Sequence, residues 1–276
     1  MGTLRYGTCS WSDKAWVGPF YPAGMKPAEY LRHYATHFDT VETDSTYYAS
    51  PPAERVRRWA EDTPPGFVVS SKLPRDCFLG GDAREMDPGL VLHTPAFEES
   101  LQRHAAVMQH LGAKRGPTVV QCPWFQPGYF RDLHDFLGRL EPFLQAAAGL
   151  APLAVEVRNP EFLHEELLAV LRRHRAALAL VEVRGMPHPV EVAERLDVRT
   201  APFFYARLIG DRQAIERKTR TLDRVVVDKS ESLGRWAHLL AVHAASADGF
   251  VYANNHFAGF GPATAKELRG LIEGAA

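Results

Sequence analysis

The amino-acid sequence predicts an α/β chain folded as one (β/α)8 TIM barrel over residues 1–276. Three observations predict it: eight short β-favouring runs, amphipathic helical stretches between them, and a length of 276 residues, close to the ~250 that eight such units need. A doubly wound open sheet is the competing architecture. It typically carries a glycine-rich turn after its first strand, where this chain reads Cys9-Ser10-Trp11-Ser12.

In order, the runs are LRYGTC (4–9), FDTVETD (38–44), FVVSSK (67–72), TVVQC (118–122), LAVEVR (153–158), ALALVEV (177–183), FFYARL (203–208) and FVYANN (250–255). Between them lie PAEYLRHYATH, PAERVRRWAED, EESLQRHAAVMQHLG, HDFLGRLEPFLQAAA, HEELLAVLRRHR, PVEVAERLD and SLGRWAHLLAVHAAS, and ATAKELRGLIEG closes the chain. Strands alternating with helices imply parallel pairing through crossover helices. Pro51-Pro52 and Pro64-Pro65 punctuate the joints. The longest gap, Leu73 to Phe97, has the length of a lid or substrate-binding loop, or of a mobile decoration.

A chain this long buries roughly 75% of its unfolded surface and needs no metal or disulfide to hold a core. With 32 basic and 33 acidic side chains, the net charge of -1 speaks against non-specific nucleic-acid binding, which needs a basic excess. Cys9, Cys77 and Cys122 are an odd count without paired spacing, which reads as free thiols in a reducing compartment. Neither a signal pattern nor an apolar run of ~18 residues is present, so no membrane association and a cytoplasmic location are expected.

Alternation along each strand sorts the polar residues. Leu153, Val155 and Val157 face the helices, which turns Glu156 and Arg158 inward. Val41 facing out turns Thr40, Glu42 and Asp44 inward, and Phe67 and Val69 leave Ser70 and Lys72 inside. By the same reasoning Gln121 enters with Val119, Glu182 with Leu180 and Arg207 with Tyr205, and one of Asn254 and Asn255 points in. All lie toward the C-terminal ends of their strands, where barrels of this kind build their sites. Carboxylates Glu42, Glu156 and Glu182 then meet cations Lys72, Arg158 and Arg207 and should pair with shifted pKa values. A structural ion-pair network at the rim is the plainer alternative.

Further features surround this mouth. Gly259, Gly261 and Pro262 precede the last helix, where barrels often hold a phosphate, though an ordinary helix start explains them equally well. Trp11, Trp16, Phe20, Tyr21, Tyr47 and Tyr48 crowd the first loops, with Trp124 and Phe125 after the fourth strand. Aromatic faces of this kind suit sugars or bases, and more often pack loops. Cys9 and Cys122 read as buried thiols. His256 is the histidine placed nearest the site.

GTCSWSDKAWVGPFYP, FDTVETDSTYYASPP, WAEDTPPGFVVSSK, the Glu156-Val157-Arg158 of the fifth strand and NNHFAGFGPATAKEL together resemble the YecE-like family, domain of unknown function 72, over nearly the whole chain. The resemblance implies a TIM barrel and places the family's polar positions on Glu42, Lys72, Glu156, Arg158, Arg207, Asn254 and Asn255. It implies no reaction. The chain departs from that pattern at Ile209 and at Leu73-Pro74-Arg75-Asp76-Cys77, where the family usually has histidines, and at Glu182, where it often has aspartate.

Three functions are compatible with this reading. The first is an enzyme acting by carboxylate acid/base chemistry on a small anionic ligand, a phosphorylated sugar or a nucleotide. Glu156, oriented by Arg158, would be general base or acid with Glu42 as its counterpart, and Lys72 and Arg207 would neutralise developing charge. Arg158, Arg207, Gln121, Glu182, Asn254, Asn255, Trp11 and Tyr48 would contact substrate. The second is a nucleic-acid binding or processing barrel resembling apurinic endonucleases, and the third a non-catalytic small-molecule binding protein. No cofactor is expected, with a carboxylate-bound magnesium or manganese at Glu42, Glu156 and Glu182 as the alternative.

Overall fold

A computed structural model describes residues 2–80 and 86–274. All eight expected strands are present: β1 (Leu4–Thr8), β2 (Thr40–Thr43), β3 (Val68–Lys72), β4 (Arg115–Gln121), β5 (Leu153–Glu156), β6 (Ala177–Val183), β7 (Phe203–Gly210) and β8 (Asp248–Ala253). They pair in parallel in the order β1-β8-β7-β6-β5-β4-β3-β2, as a nearly closed single-domain TIM barrel. Ten α-helices lie among the described residues: α1 (Tyr30–Tyr34), α2 (Ala53–Glu61), α3 (Thr94–Met108), α4 (Leu133–Ala147), α5 (Glu165–Arg173), α6 (Pro189–Ala193), α7 (Arg212–Lys218), α8 (Ser230–Ala244), α9 (Asn255–Ala258) and α10 (Gly261–Glu273).

Each strand presents bulky aliphatics to the helices. Leu153 and Val155 of β5 and Leu178 and Leu180 of β6 join the outer core with Leu140 and Phe143 of α4 and Leu168 and Leu171 of α5. A second core packs Val41 of β2 and Val69 of β3 against Tyr34, Val56 and Trp59. The barrel axis is filled by a smaller cluster of Cys9, Val119, Ala154, Ala177, Ala179, Tyr205 and Tyr252. The two tyrosines are large for a narrow barrel, and alanines on β5 and β6 leave them room.

This filling corrects the expected parity of β6. Ala177 and Ala179 point into the barrel, so Leu178, Leu180 and with them Glu182 face the helix layer. Leu73 to Phe97 is likewise no uniform loop. Leu73, Cys77, Phe78 and Leu79 on one side, and Met86, Val91 and Leu92 on the other, are buried in the outer core. Phe78 packs against Phe143 and its carbonyl accepts from Leu92 N at 2.8 Å. Residues 81–85 of the suggested lid lie outside the described residues.

β1 and β2 stand at the two ends of the hydrogen-bonded order, and a side chain joins them. The buried Tyr34 hydroxyl accepts from Thr8 N at 2.7 Å and donates to the Thr40 carbonyl at 3.1 Å. The strands approach so closely that a Cβ on Gly7 would sit 2.0 Å from Thr40 O, which restricts that position to glycine. Tyr34→Phe would leave the Thr8 amide and Thr40 carbonyl without their shared partner. It should lower the urea unfolding free energy by about 1–3 kcal/mol, and an unchanged midpoint would show that closure rests elsewhere.

Candidate functional site

At the C-terminal end of the barrel, four strands converge on one guanidinium. Arg207 of β7, 1% exposed, donates from Nε to Glu42 Oε2 at 2.9 Å and from Nη2 to Glu42 Oε1 at 2.7 Å, a two-pronged pair. Its Nη1 donates to Gln121 Oε1 at 2.9 Å and to Glu156 Oε2. Tyr205, two residues earlier on the same face of β7, donates its hydroxyl to Glu42 Oε2 at 2.6 Å. Buried ions are tolerated only where partners and hydrogen bonds satisfy them, and here every charged oxygen and nitrogen prong is engaged.

The charges fix each other's protonation. Burial works to raise the Glu156 pKa, but Arg207 and Arg158 outweigh it and hold the carboxyl down at about 2. Burial also opposes the Arg207 charge, and Glu156 and Glu42 overcome it, raising its pKa well above the usual value. Burial and then Glu42 push the Tyr205 phenol well up, so it remains a donor. Burial, followed by Glu42 for Cys9 and by Glu156 for Cys122, also raises both thiols, Cys122 to about 12, so neither is a thiolate at neutral pH.

Above this layer Arg158 reaches solvent, while Lys72 stays buried, 8% exposed. Arg158, 28% exposed, donates from Nε to Glu156 Oε1 at 2.7 Å. Among the described residues its two terminal nitrogens have no hydrogen-bond partner. Lys72 Nζ lies 2.5 Å from Asp44 Oδ1 and 5.6 Å from the centre of the Tyr47 ring. Tyr47 meets Tyr48 edge to face, and the Arg75 guanidinium lies 5.8 Å from the Tyr48 ring. β3 and β5 therefore give the mouth a cationic side.

The opposite side, built by β1, β2 and β8, is acidic and amide-rich. A cavity of about 280 Å³ there is lined by Ser10, Asp13, Trp16, Asp44, Asn254 and His256 among others. Asn255 Nδ2 donates to Asp13 Oδ2 at 2.8 Å, and its Oδ1 accepts from Gly261 N at 2.8 Å. Asn254 Oδ1 accepts from His256 N at 2.9 Å, so the His256 Nδ1 only 3.0 Å away must donate to it as well. The Nε2 is thereby left as the basic nitrogen. Burial first and Arg212 second lower the His256 pKa, which keeps the ring neutral at pH 7.

Of the residues that the sequence put forward, Glu42, Gln121, Glu156 and Arg207 form the buried layer, with Lys72, Arg158, Asn254 and Asn255 in the mouth above it. Glu182 does not join them. On the outer face of β6 it accepts from Ser232 Oγ at 2.6 Å, Trp236 Nε1 at 2.8 Å and Lys229 Nζ at 3.1 Å. Burial pulls its pKa up, but the His188 and Ser232 bonds, the Lys229 charge and the Trp236 bond bring it down to about 2. The three carboxylates suggested for magnesium or manganese are therefore not brought together: Arg207 holds Glu42 and Glu156, and Glu182 faces away. Among the described residues no three His, Cys, Asp or Glu side chains are placed to hold a metal ion.

Trp11 stands edge-on to Trp59 at 5.5 Å and packs in the β2–β3 core, outside the cavity lining. Tyr48, 68% exposed, lies on the rim. Asp13 and Trp16 were not among the expected contacts. They come from the irregular segment after β1, where alternation gives no direction.

A parallel eight-stranded barrel with a polar, ion-paired mouth defines the class: a TIM-barrel protein whose candidate site lies at the C-terminal ends of its strands. Within that class the chain belongs to the family described as Protein of unknown function DUF72, whose model matches residues 5–276. The Escherichia coli K12 protein UPF0759 protein YecE is 28% identical over 159 residues, covering 58% of this chain and 50% of that protein. The match thus spans about half the length of this curated relative. A DUF72 family protein of Thermotoga maritima MSB8 superposes with a TM-score of 0.70 at 20% identity, covering 98% of this chain and 99% of that one. A sugar phosphate isomerase/epimerase of Parabacteroides distasonis gives 0.51 at 13% identity over 91% of this chain and 90% of its own, a likeness of fold alone. Among the described residues no helix is long and apolar enough to cross a membrane.

The buried layer can be tested by titration. The Glu156 carboxyl sits at about 2 against an ordinary 4.5, so its contribution to stability is full above pH 4.5 and is lost as pH falls toward 2. Glu156→Gln should cost about 3–5 kcal/mol at pH 7, because Arg207 and Arg158 lose a buried partner. It should also flatten the pH dependence of urea unfolding between pH 4.5 and 2, leaving the share due to Glu182 and to the lowered surface carboxylates such as Glu141 and Asp135. A variant as steep as the wild type in that window would disprove the assignment.

Proposed function

We propose that the chain is an enzyme on a small anionic substrate, a phosphate ester, bound in the mouth of the barrel. The observation that carries this reading is Arg158: its Nε is fixed by a buried carboxylate, while among the described residues its terminal nitrogens have no hydrogen-bond partner at the solvent-facing mouth. A guanidinium so held presents two parallel donors, the fork that suits phosphate oxygens. Lys72 stands on the same cationic side beside Tyr47.

The geometry also redistributes the chemical roles. Glu156, its carboxyl held down at about 2 and both oxygens bound by guanidiniums, is a poor proton acceptor near pH 7 and acts as a positioning residue for Arg158 and Arg207. Glu42, buried with both oxygens bound by Arg207 and Tyr205, positions Arg207 in the same way. Proton transfer falls to groups that line the mouth. Asp44, paired with Lys72 at 2.5 Å, and the neutral His256 are placed for it. Lys72 and Arg158 would stabilise negative charge developing on the substrate.

The test is a panel of sugar phosphates and nucleoside monophosphates, with binding followed by calorimetry and turnover by phosphorus and proton NMR. One class should be converted by the wild type. Arg158→Met should weaken its binding by about tenfold or more, and Lys72→Met should abolish its turnover with the fold intact. Failure of every phosphate ester to bind, or affinity unchanged in Arg158→Met, would overturn the proposal.

A further inference from the structure

We infer that the cavity between β1, β2 and β8 is a subsite for the hydroxyl groups of a sugar, which makes the phosphate ester of the mouth a sugar phosphate. The inference rests on the anion reading of Arg158 and adds the other end of the ligand.

Three features of the cavity select a hydroxyl. The indole of Trp16, which helps to line it, is 1% exposed, and among the described residues its Nε1–H is a buried donor with no hydrogen-bond partner. An indole N–H can only donate, and leaving it unpaired costs about 1–3 kcal/mol, so an oxygen from a ligand is its natural complement. The ring cannot turn to find another partner. Tyr21 stacks on it at 6.1 Å, and Phe20 and Phe260 meet its faces and edges at 5.8 and 6.1 Å.

The same cavity carries two carboxylates, which accept and do not donate when ionised. Asp13 is fixed by Ala15 N at 2.9 Å and Asn255 Nδ2 at 2.8 Å, and Asp44 by Lys72. An anionic group would satisfy Trp16 but meet two like charges. A cation would satisfy the carboxylates but face an indole N–H. A hydroxyl accepts from one and donates to the others, and a sugar supplies several at adjacent carbons. The volume of about 280 Å³ lies just under the ~300–1,000 Å³ of drug-sized ligand sites, room for one sugar ring rather than a nucleoside. Asp44 connects the ends, lining the cavity while pairing with Lys72 on the cationic side.

Titration of the full-length ¹⁵N-labelled protein with ribose 5-phosphate and with methyl phosphate separates the two ends. The Trp16 indole N–H resonance, assigned from its loss in Trp16→Phe, should move with ribose 5-phosphate and not with methyl phosphate. Ribose 5-phosphate should bind about tenfold more tightly than methyl phosphate, and that ratio should fall to within about twofold of unity in Trp16→Phe and in Asp13→Asn. Should Trp16→Phe not fold, Asp13→Asn and the wild-type resonances decide. Equal affinities for both probes, each reduced by Arg158→Met, would remove the sugar subsite and leave the anion reading standing. Absence of binding by either probe would overturn both.

Discussion

The structure depends on one buried cation. Arg207 lies 1% exposed near the barrel axis, and the energy needed to strip water from a guanidinium is recovered only if its donors all find acceptors. Those acceptors come from β2, β4 and β5, as Glu42, Gln121 and Glu156, with Tyr205 of β7 completing the Glu42 shell. Shifting any of these strands by one residue would turn its polar member away from the guanidinium and strand the charge. The ion pair therefore specifies register around half of the ring, and the mouth above inherits a buried, fully hydrogen-bonded floor.

That floor separates carboxylates that look alike in the sequence into different kinds. Glu42 and Glu156 are spent on holding arginines. Glu182, on the outer face of β6, anchors α8 through Ser232 and Trp236. Asp13 and Asp44, shorter and nearer to solvent, are the acids that face a ligand-sized space. The half-exposed acids are thus the ones open to a ligand, while the deeply buried ones supply geometry.

Much of this was legible in the chain. Strand count and parallel order follow from the alternation of β-favouring and amphipathic stretches, and the inward set of β2, β3, β4, β5 and β7 follows from which positions are aliphatic. β6 resisted because ALALVEV is apolar at both parities: only the bulk of Tyr205 and Tyr252 across the axis decides that the alanines turn inward. The protonation of Glu156 was equally out of reach, since it is set by Arg207, 51 positions away along the chain. Asp13 and Trp16 sit in an irregular loop, where neither period applies and orientation is decided by the aromatic cluster that receives the indole.

The tyrosine clasp between β1 and β2 has a geometric consequence. Elsewhere around the ring, neighbouring walls are spaced by the fixed repeat of backbone pairing, about 4.8 Å. At this one joint the gauge is a phenol oxygen reaching from α1, touching Thr8 on one side and Thr40 on the other. The walls on either side lead directly into Asp13 and Asp44. The span between those two acids is thus dictated by the seating of an aromatic ring in the outer core, and a substitution behind that ring, far from any ligand, would re-gauge the aperture.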